Sequence, residues 1–244
     1  MGAMLAEFPG FPEFDPARDA LFLDFDGTLV EIAPRPDAVA VPAELPALLA
    51  RAHAAASGAL AVVSGRSLDQ LERYLPGFPG ELVGSHGAER RGVASTAVQG
   101  IDRLHAALNA AARRHGLLAE LKPLGGALHF REAPERRDEA LALAEEIAAS
   151  QPGFAVQPAK MAFEVRPQGA GKESALARLA GAPPFAGRRP VYLGDDATDE
   201  PAMDWAQAQG GVAVKVGAGP SVAHHRLPGP RAVLDWIAAP LAGE

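Results

Sequence analysis

The chain has 244 residues, 48% hydrophobic and 22% charged, the proportions of an ordinary globular protein with room for one large domain or two small ones. Thirty acidic residues against 23 basic ones give a formal net charge of -7, which argues against a nucleic-acid backbone or an anionic membrane surface as the main partner. The absence of cysteine excludes disulfides, thiolate metal sites and cysteine nucleophiles, and makes the cytoplasm the simplest compartment.

The opening stretch MGAMLAEFPGFPEF lacks a basic start followed by a long apolar run, and its prolines interrupt any spanning helix. Neither a signal peptide nor a membrane segment is expected there. Beyond it, apolar runs of strand length alternate with alanine-rich stretches of helical period, the signature of βαβ units with a mainly parallel sheet. In chain order the pattern predicts a strand over 20–24, a helix over 44–56, a strand over 60–63, a helix over 67–74 and a strand over 81–84. After the middle segment it resumes with a helix over 171–179, a strand over 190–193, a helix over 198–208 and a strand over 211–215.

The middle departs from this order. From Thr96 to Pro167 the prediction is a helix over 100–115, strands over 118–122 and 127–131, a helix over 135–150, and strands over 154–158 and 161–166. An αββαββ order suits a small α+β layer with an open sheet. The expected organisation is therefore an α/β Rossmann-like parallel-sheet core, residues 1–95 and 168–244, with an α+β cap inserted over 96–167. Glycine, proline and small polar residues concentrate at 92–100 and 167–171, the expected hinges.

The first strand ends in LFLDFDGTLV, which places Asp24 and Asp26 at a strand's carboxyl end, where parallel α/β sheets bind ligands. Residues i and i+2 of an extended segment face the same side, and two carboxylates that close need a cation or a shared proton. Magnesium suits them, because it takes carboxylate and carbonyl oxygens and keeps places for water and a phosphate oxygen. A second acidic cluster, with Asp195, Asp196, Asp199 and Glu200, follows another strand in VYLGDDATDE. Any one of these aspartates alone would be read as a helix cap or turn residue; two clusters after two strands point to a metal cage.

Two more strand or helix ends supply what a phosphate needs. AVVSGR places the Ser64 hydroxyl and the Gly65 amide after a strand, and GAGKES places Lys172 at a helix start, where an ammonium and free N–H groups favour an anion.

These four pieces resemble the motifs of the haloacid dehalogenase superfamily: DFDGTLV, a serine after an apolar strand, a lysine at a helix start, and GDDATD. The resemblance implies that Asp24 is a nucleophile that becomes an aspartyl phosphate, and that Asp26 is the general acid and then the base. It further implies Mg2+ held by Asp24, the Asp26 backbone carbonyl and Asp195, with Asp199 acting through water, and Ser64 and Lys172 stabilising the transferred phosphoryl group.

Further stretches are similar to the trehalose-6-phosphate phosphatase family within that superfamily. They are SGRSLDQL, GSHGAE, AELKPLGGALHFR, KMAFEVRP and VGAGPSVA, together spanning most of the chain from Ala20 to Leu234. This resemblance implies a phosphoric monoester hydrolase of trehalose biosynthesis that releases inorganic phosphate from trehalose 6-phosphate. Carried over position by position, Gly65, Arg66, His86, Glu120, Lys122, Arg131, Lys160 and Glu164 would bind the substrate. Charged donors and acceptors of this kind suit a sugar with many hydroxyls. Strand alternation would put Glu120 with Lys122, and His129 with Arg131, on common faces. The chain departs from the family at Phe130, often tyrosine, at Glu173, where glycine is more usual, and at Pro201; none of these removes a catalytic group.

The expected partner is a small sugar phosphate, with no nucleic acid and no membrane, bound by a monomer. The rivals are a phosphatase for another sugar phosphate, such as sucrose or mannose phosphate, and a non-catalytic sugar-phosphate sensor on the same fold. GAGKES is not a nucleotide P-loop, which would need serine or threonine at Glu173 and glycine at Arg166. His224 and His225, adjacent in an expected loop, read as surface histidines.

Overall fold

The computed structural model describes residues 11–33, 35, 38–93, 100–159 and 161–242. They fall into two compact units: one runs through Arg91 and resumes at Gly171, and the other spans Gly92–Ala170.

The larger unit is built on a seven-stranded sheet. Its strands are β1 (Asp19–Leu23), β2 (Leu60–Val63), β3 (Glu81–Gly84), β4 (Glu89–Arg90), β9 (Arg189–Gly194), β10 (Val212–Val216) and β11 (His225–Leu227), in the order β11-β10-β9-β1-β2-β3-β4. All neighbours are parallel except β3 and β4. The central strands read DALFL, LAVV and VAVKV, buried along their whole length because helices cover both faces of a parallel sheet. The helices are α1 (Leu45–Ala55), α2 (Leu68–Tyr74), α5 (Lys172–Ala180), α6 (Glu200–Ala208) and α7 (Pro230–Ala238). Each turns an apolar stripe inward, as α1 does with Leu45, Leu48, Leu49 and Ala52.

Chain order runs outward from β1 through β2 and β3 on one side, and through β9 and β10 on the other. The carboxyl ends of β1 and β9 therefore flank the switch point where such sheets open a crevice. At the opposite end of the same two strands, the buried Asp19 receives the Arg189 guanidinium through two hydrogen bonds of 2.7 and 2.9 Å.

Two strands had no sequence signal. β4 is two residues long, held antiparallel to β3 by a forked Arg90–Glu81 pair with both bonds at 2.9 Å. β11 has three residues, too few for a period of two to register, so His225 opens a strand rather than sitting in a loop. Its ring packs edge-on to Phe11 at 5.6 Å.

The smaller unit carries α3 (Ile101–His115), β5 (Leu118–Lys122), β6 (Gly125–His129), α4 (Arg137–Ser150), β7 (Phe154–Ala159) and β8 (Ala162–Pro167). Its antiparallel sheet has the order β5-β6-β8-β7. Leu128, Phe163 and Val165 turn toward Leu104, Leu108, Ala144 and Ile147 of the two helices. β6 lies two residues earlier than the pattern predicts, because the Gly125–Gly126 pair, which reads as a turn, is strand. A Cβ on Gly125 would sit 2.5 Å from the Val165 carbonyl oxygen, and one on Gly126 2.5 Å from Leu108. Close packing, not a bend, explains both glycines. Arg131 consequently lies beyond the strand, where strand alternation no longer sets its side relative to His129. Among the described residues, no helix is long and apolar enough to cross a membrane.

Candidate active site

Asp24 follows directly on β1, where its amide donates to the Leu193 carbonyl of β9 at 2.9 Å. The chain then folds back in a tight turn: the amides of Leu29 and Val30 reach the Phe25 carbonyl at 2.9 and 3.1 Å, and the Gly27 amide reaches the Val30 carbonyl at 2.7 Å. Gly27 has φ +78°, and a Cβ there would stand 2.1 Å from an Asp195 carboxylate oxygen. Only glycine lets the two acidic clusters approach this closely.

Lys172 opens α5, and its ammonium, 3% exposed, donates to Asp24 Oδ1 and Asp199 Oδ1, both at 2.6 Å. Asp199 is the hub of the second cluster. Besides Lys172 it accepts from the Tyr192 hydroxyl at 2.5 Å and from the amides of Asp195 and Asp196 at 3.0 and 3.1 Å. Although burial opposes it, Lys172 and these donors hold the Asp199 carboxyl below its ordinary range. Burial works against the Lys172 charge as well, yet Asp199 and Asp24 keep the ammonium above its usual value. Burial, reinforced by Asp199 and Asp195, pushes the Asp24 carboxyl well up against the pull of Lys172. Asp195 is pushed up to about 7 by burial and by the charges of Asp196 and Asp199. The second cluster's loop is pinned from below by Lys215, whose ammonium donates to the Asp195 carbonyl.

Such upward shifts mark carboxylates gathered where a cation relieves their repulsion. Oxygens of Asp24, Asp195 and Asp199 lie within 4.8 Å of one another, a donor set of hard carboxylates. Both Asp199 oxygens are already engaged by four donors, so Asp24 and Asp195 have the freer oxygens. The residues fit a magnesium ion.

Ser64 follows directly on β2, the neighbour of β1. Its hydroxyl accepts from the Arg66 amide at 3.2 Å, and its carbonyl accepts from the His86 amide at 2.9 Å. Ser85, His86 and Gly87 are consecutive residues at φ +48°, +54° and +101°, two of them without glycine's freedom. This strained turn lays the His86 ring against Gly65, where a Cβ would meet it at 2.5 Å. Glu89 braces the turn, its Oε2 accepting from the Ser85 hydroxyl at 2.6 Å and the Leu68 amide at 3.0 Å. The Arg66 guanidinium goes to Asp26, with Nε–Oδ2 at 2.6 Å and Nη2–Oδ1 at 2.7 Å.

In the smaller unit, cross-strand register aligns Glu120, Ala127, Glu164 and Gln157 in one row. Lys122 Nζ donates to Glu164 Oε1 at 2.5 Å, and His129 Nε2 lies 2.8 Å from Glu120 Oε2. The hydrogen bond from His129 holds the Glu120 carboxyl below its ordinary value, against its partial burial. Arg131 is exposed, and Lys160 lies outside the described residues.

The structure thus gathers Asp24, Lys172, Asp195 and Asp199 into one cluster and sets Glu120, Lys122 and Glu164 on one face of the other sheet. Tyr192 and Lys215 were missed. A lone lysine inside the apolar run VAVKV was the available signal for Lys215; Tyr192 read as an ordinary apolar strand residue.

A carboxylate directly after the first strand, a lysine shared between two acidic clusters and a serine just past the next strand, all at a parallel sheet's switch point, are the arrangement of a phosphatase of the haloacid dehalogenase class. The trehalose-phosphatase family model matches residues 22–229. Over 231 residues the chain is 38% identical to a trehalose-6-phosphate phosphatase of Escherichia coli strain K12, covering 91% of this chain and 86% of that protein. It is 43% identical over 205 residues to a probable trehalose-phosphate phosphatase of Sinorhizobium fredii, covering 81% and 77%. The crystal structure of a trehalose-6-phosphate phosphatase related protein superposes with a TM-score of 0.72 at 25% identity, over 90% of this chain and 95% of that one. The chain belongs to the trehalose-phosphatase family.

Proposed function

We propose that the protein hydrolyses trehalose 6-phosphate to trehalose and inorganic phosphate through a phosphoryl-enzyme on Asp24. The observation that carries this reading is the Lys172 ammonium 2.6 Å from Asp24 in a nearly dry cluster, within a chain of this family. Asp24 attacks phosphorus as the bond to the sugar oxygen breaks, which divides one hard displacement into two easier ones. Asp26 gives the departing alkoxide its proton, then takes one from the water that attacks the aspartyl phosphate. Lys172, the Ser64 hydroxyl and the Gly65 amide stabilise the phosphoryl oxygens.

Asp24, Asp195 and the Asp26 backbone carbonyl would hold Mg2+, with Asp199 anchoring Asp195 and Lys172. Bound there, the ion supplies charge neutralisation for the phosphoryl group. Residues 1–95 and 168–244 act as the catalytic core and 96–167 as the specificity-giving cap. In it, Glu120, Lys122, Arg131, Lys160 and Glu164 recognise the disaccharide, with His86 a further substrate contact from the core.

The test is inorganic phosphate released from trehalose 6-phosphate, glucose 6-phosphate and sucrose 6-phosphate, with magnesium and with a chelator. Metal-dependent release from trehalose 6-phosphate alone is expected. Equal release from all three would discard the disaccharide assignment and leave the core chemistry standing. Binding without release from any would favour a sensor.

A further inference from the structure

Arg66 is held by several contacts besides Asp26. Its amide donates to Ser64 Oγ at 3.2 Å and its carbonyl accepts from the Ser85 amide at 2.6 Å. Its guanidinium lies 5.0 Å from the centre of the Tyr74 ring and 5.9 Å from that of Phe25, two rings that stack on each other at 5.7 Å. The side chain is 10% exposed, against 33% for Asp26. An exposed ion pair constrains little, because both partners move. A guanidinium set beside two stacked rings, on a residue whose backbone is pinned by two hydrogen bonds, is different: its planar fork dictates where the carboxylate points.

We infer that Arg66 is a positioning residue that aims the Asp26 carboxylate, rather than a group that grips the substrate's phosphate. The inference rests on the reading of Asp26 as the acid and base of the reaction. An arginine serving the phosphate would turn its fork toward the Ser64 and Lys172 side; this one turns it onto Asp26, beside the Tyr74 ring. The bonds made and broken are unchanged by it: the proton passes between Asp26 and the sugar oxygen, and later between water and Asp26.

The experiment is a double-mutant cycle of Arg66→Ala and Asp26→Asn on trehalose 6-phosphate with saturating magnesium, alongside competitive inhibition by inorganic phosphate. Arg66→Ala is expected to lower kcat at least about 10-fold, a fraction of the general acid–base contribution. KM and the phosphate inhibition constant should stay within about 3-fold of wild type. In the Asp26→Asn background the same change should cost less than about 2-fold further, because residues acting as a unit are not additive. Arg66→Lys, which keeps the charge and the contact with Tyr74 but cannot fork, should fail to restore kcat; it carries the test if the alanine variant melts early.

A full multiplicative loss in the Asp26→Asn background would overturn the inference, as would a weakened phosphate inhibition constant with kcat intact. Wild-type turnover by Asp26→Asn would remove the acid–base reading and this inference together; an impaired Asp26→Asn with an additive Arg66→Ala removes the inference alone.

Discussion

Lys172 and Asp24 form an ion pair 2.6 Å long in which neither side chain is more than 5% exposed. Burying two charges gains little by itself, but removing one partner leaves the other in a medium that penalises it. Lys172→Met strands both Asp24 and Asp199, so urea unfolding should show a loss of about 3–5 kcal/mol, the usual consequence of breaking a buried pair. An unchanged midpoint would mean that this ammonium does not hold the carboxylates in place.

The metal-free protein should have an inverted pH dependence around its acidic cluster. The Asp195 carboxyl is pushed up to about 7 in the fold, chiefly by burial, from its ordinary value of 3.8. A raised carboxyl holds its proton more tightly folded than unfolded, so its stabilising effect is fully present below the unfolded value and is lost as pH rises toward 7. Thermal melts in chelator should therefore fall between pH 4 and pH 7, and Asp195→Asn should flatten that slope. A slope unaffected by the substitution would place the titration elsewhere.

Gly27 joins backbone conformation to the acidic cluster. Gly27→Ala forces a side chain into the left-handed region, about 1–2 kcal/mol on its own. It also drives Asp195 from its place, since the new Cβ would stand 2.1 Å from its carboxylate. Phosphate release should fall at least about 100-fold, a misplacement penalty comparable to that of moving a reacting group by an ångström. Retained activity would show that Asp195 can shift without consequence.

The parallel core and most of its site were legible because the two aspartate motifs and the serine motif each follow a continuous apolar run, and such runs fix strand ends well. Asp24, Ser64 and Asp195 could be placed from strand ends and Lys172 from a helix start. Contacts made sideways were not legible: Tyr192 reaches Asp199 across a loop, and Arg66, expected at the substrate, reaches Asp26 from forty positions along the chain. The expectation that Asp199 acts on the metal through water rested on its motif position, which does not reveal that four donors already surround it. Gly125 and Gly126 misled for a similar reason: a glycine needed for close packing looks like one needed for a turn.

In the smaller unit, Lys122→Met removes the ammonium 2.5 Å from Glu164 without touching the catalytic cluster. If this face recognises the disaccharide, KM for trehalose 6-phosphate should rise by about 10-fold, the usual scale for one charge-assisted hydrogen bond. Turnover of p-nitrophenyl phosphate, which has no sugar, should stay within about 2-fold. Parallel losses on both substrates would argue that the pair holds the sheet together instead.

The most direct measurement is steady-state phosphate release from trehalose 6-phosphate by the Asp24→Asn variant beside the wild-type protein, with melting curves of both. Asp24→Asn keeps the shape and removes the carboxylate proposed as nucleophile, so turnover should vanish while the variant stays folded. A folded variant that still releases phosphate at the wild-type rate would contradict Asp24 as the nucleophile, and with it the account of the site built around Lys172.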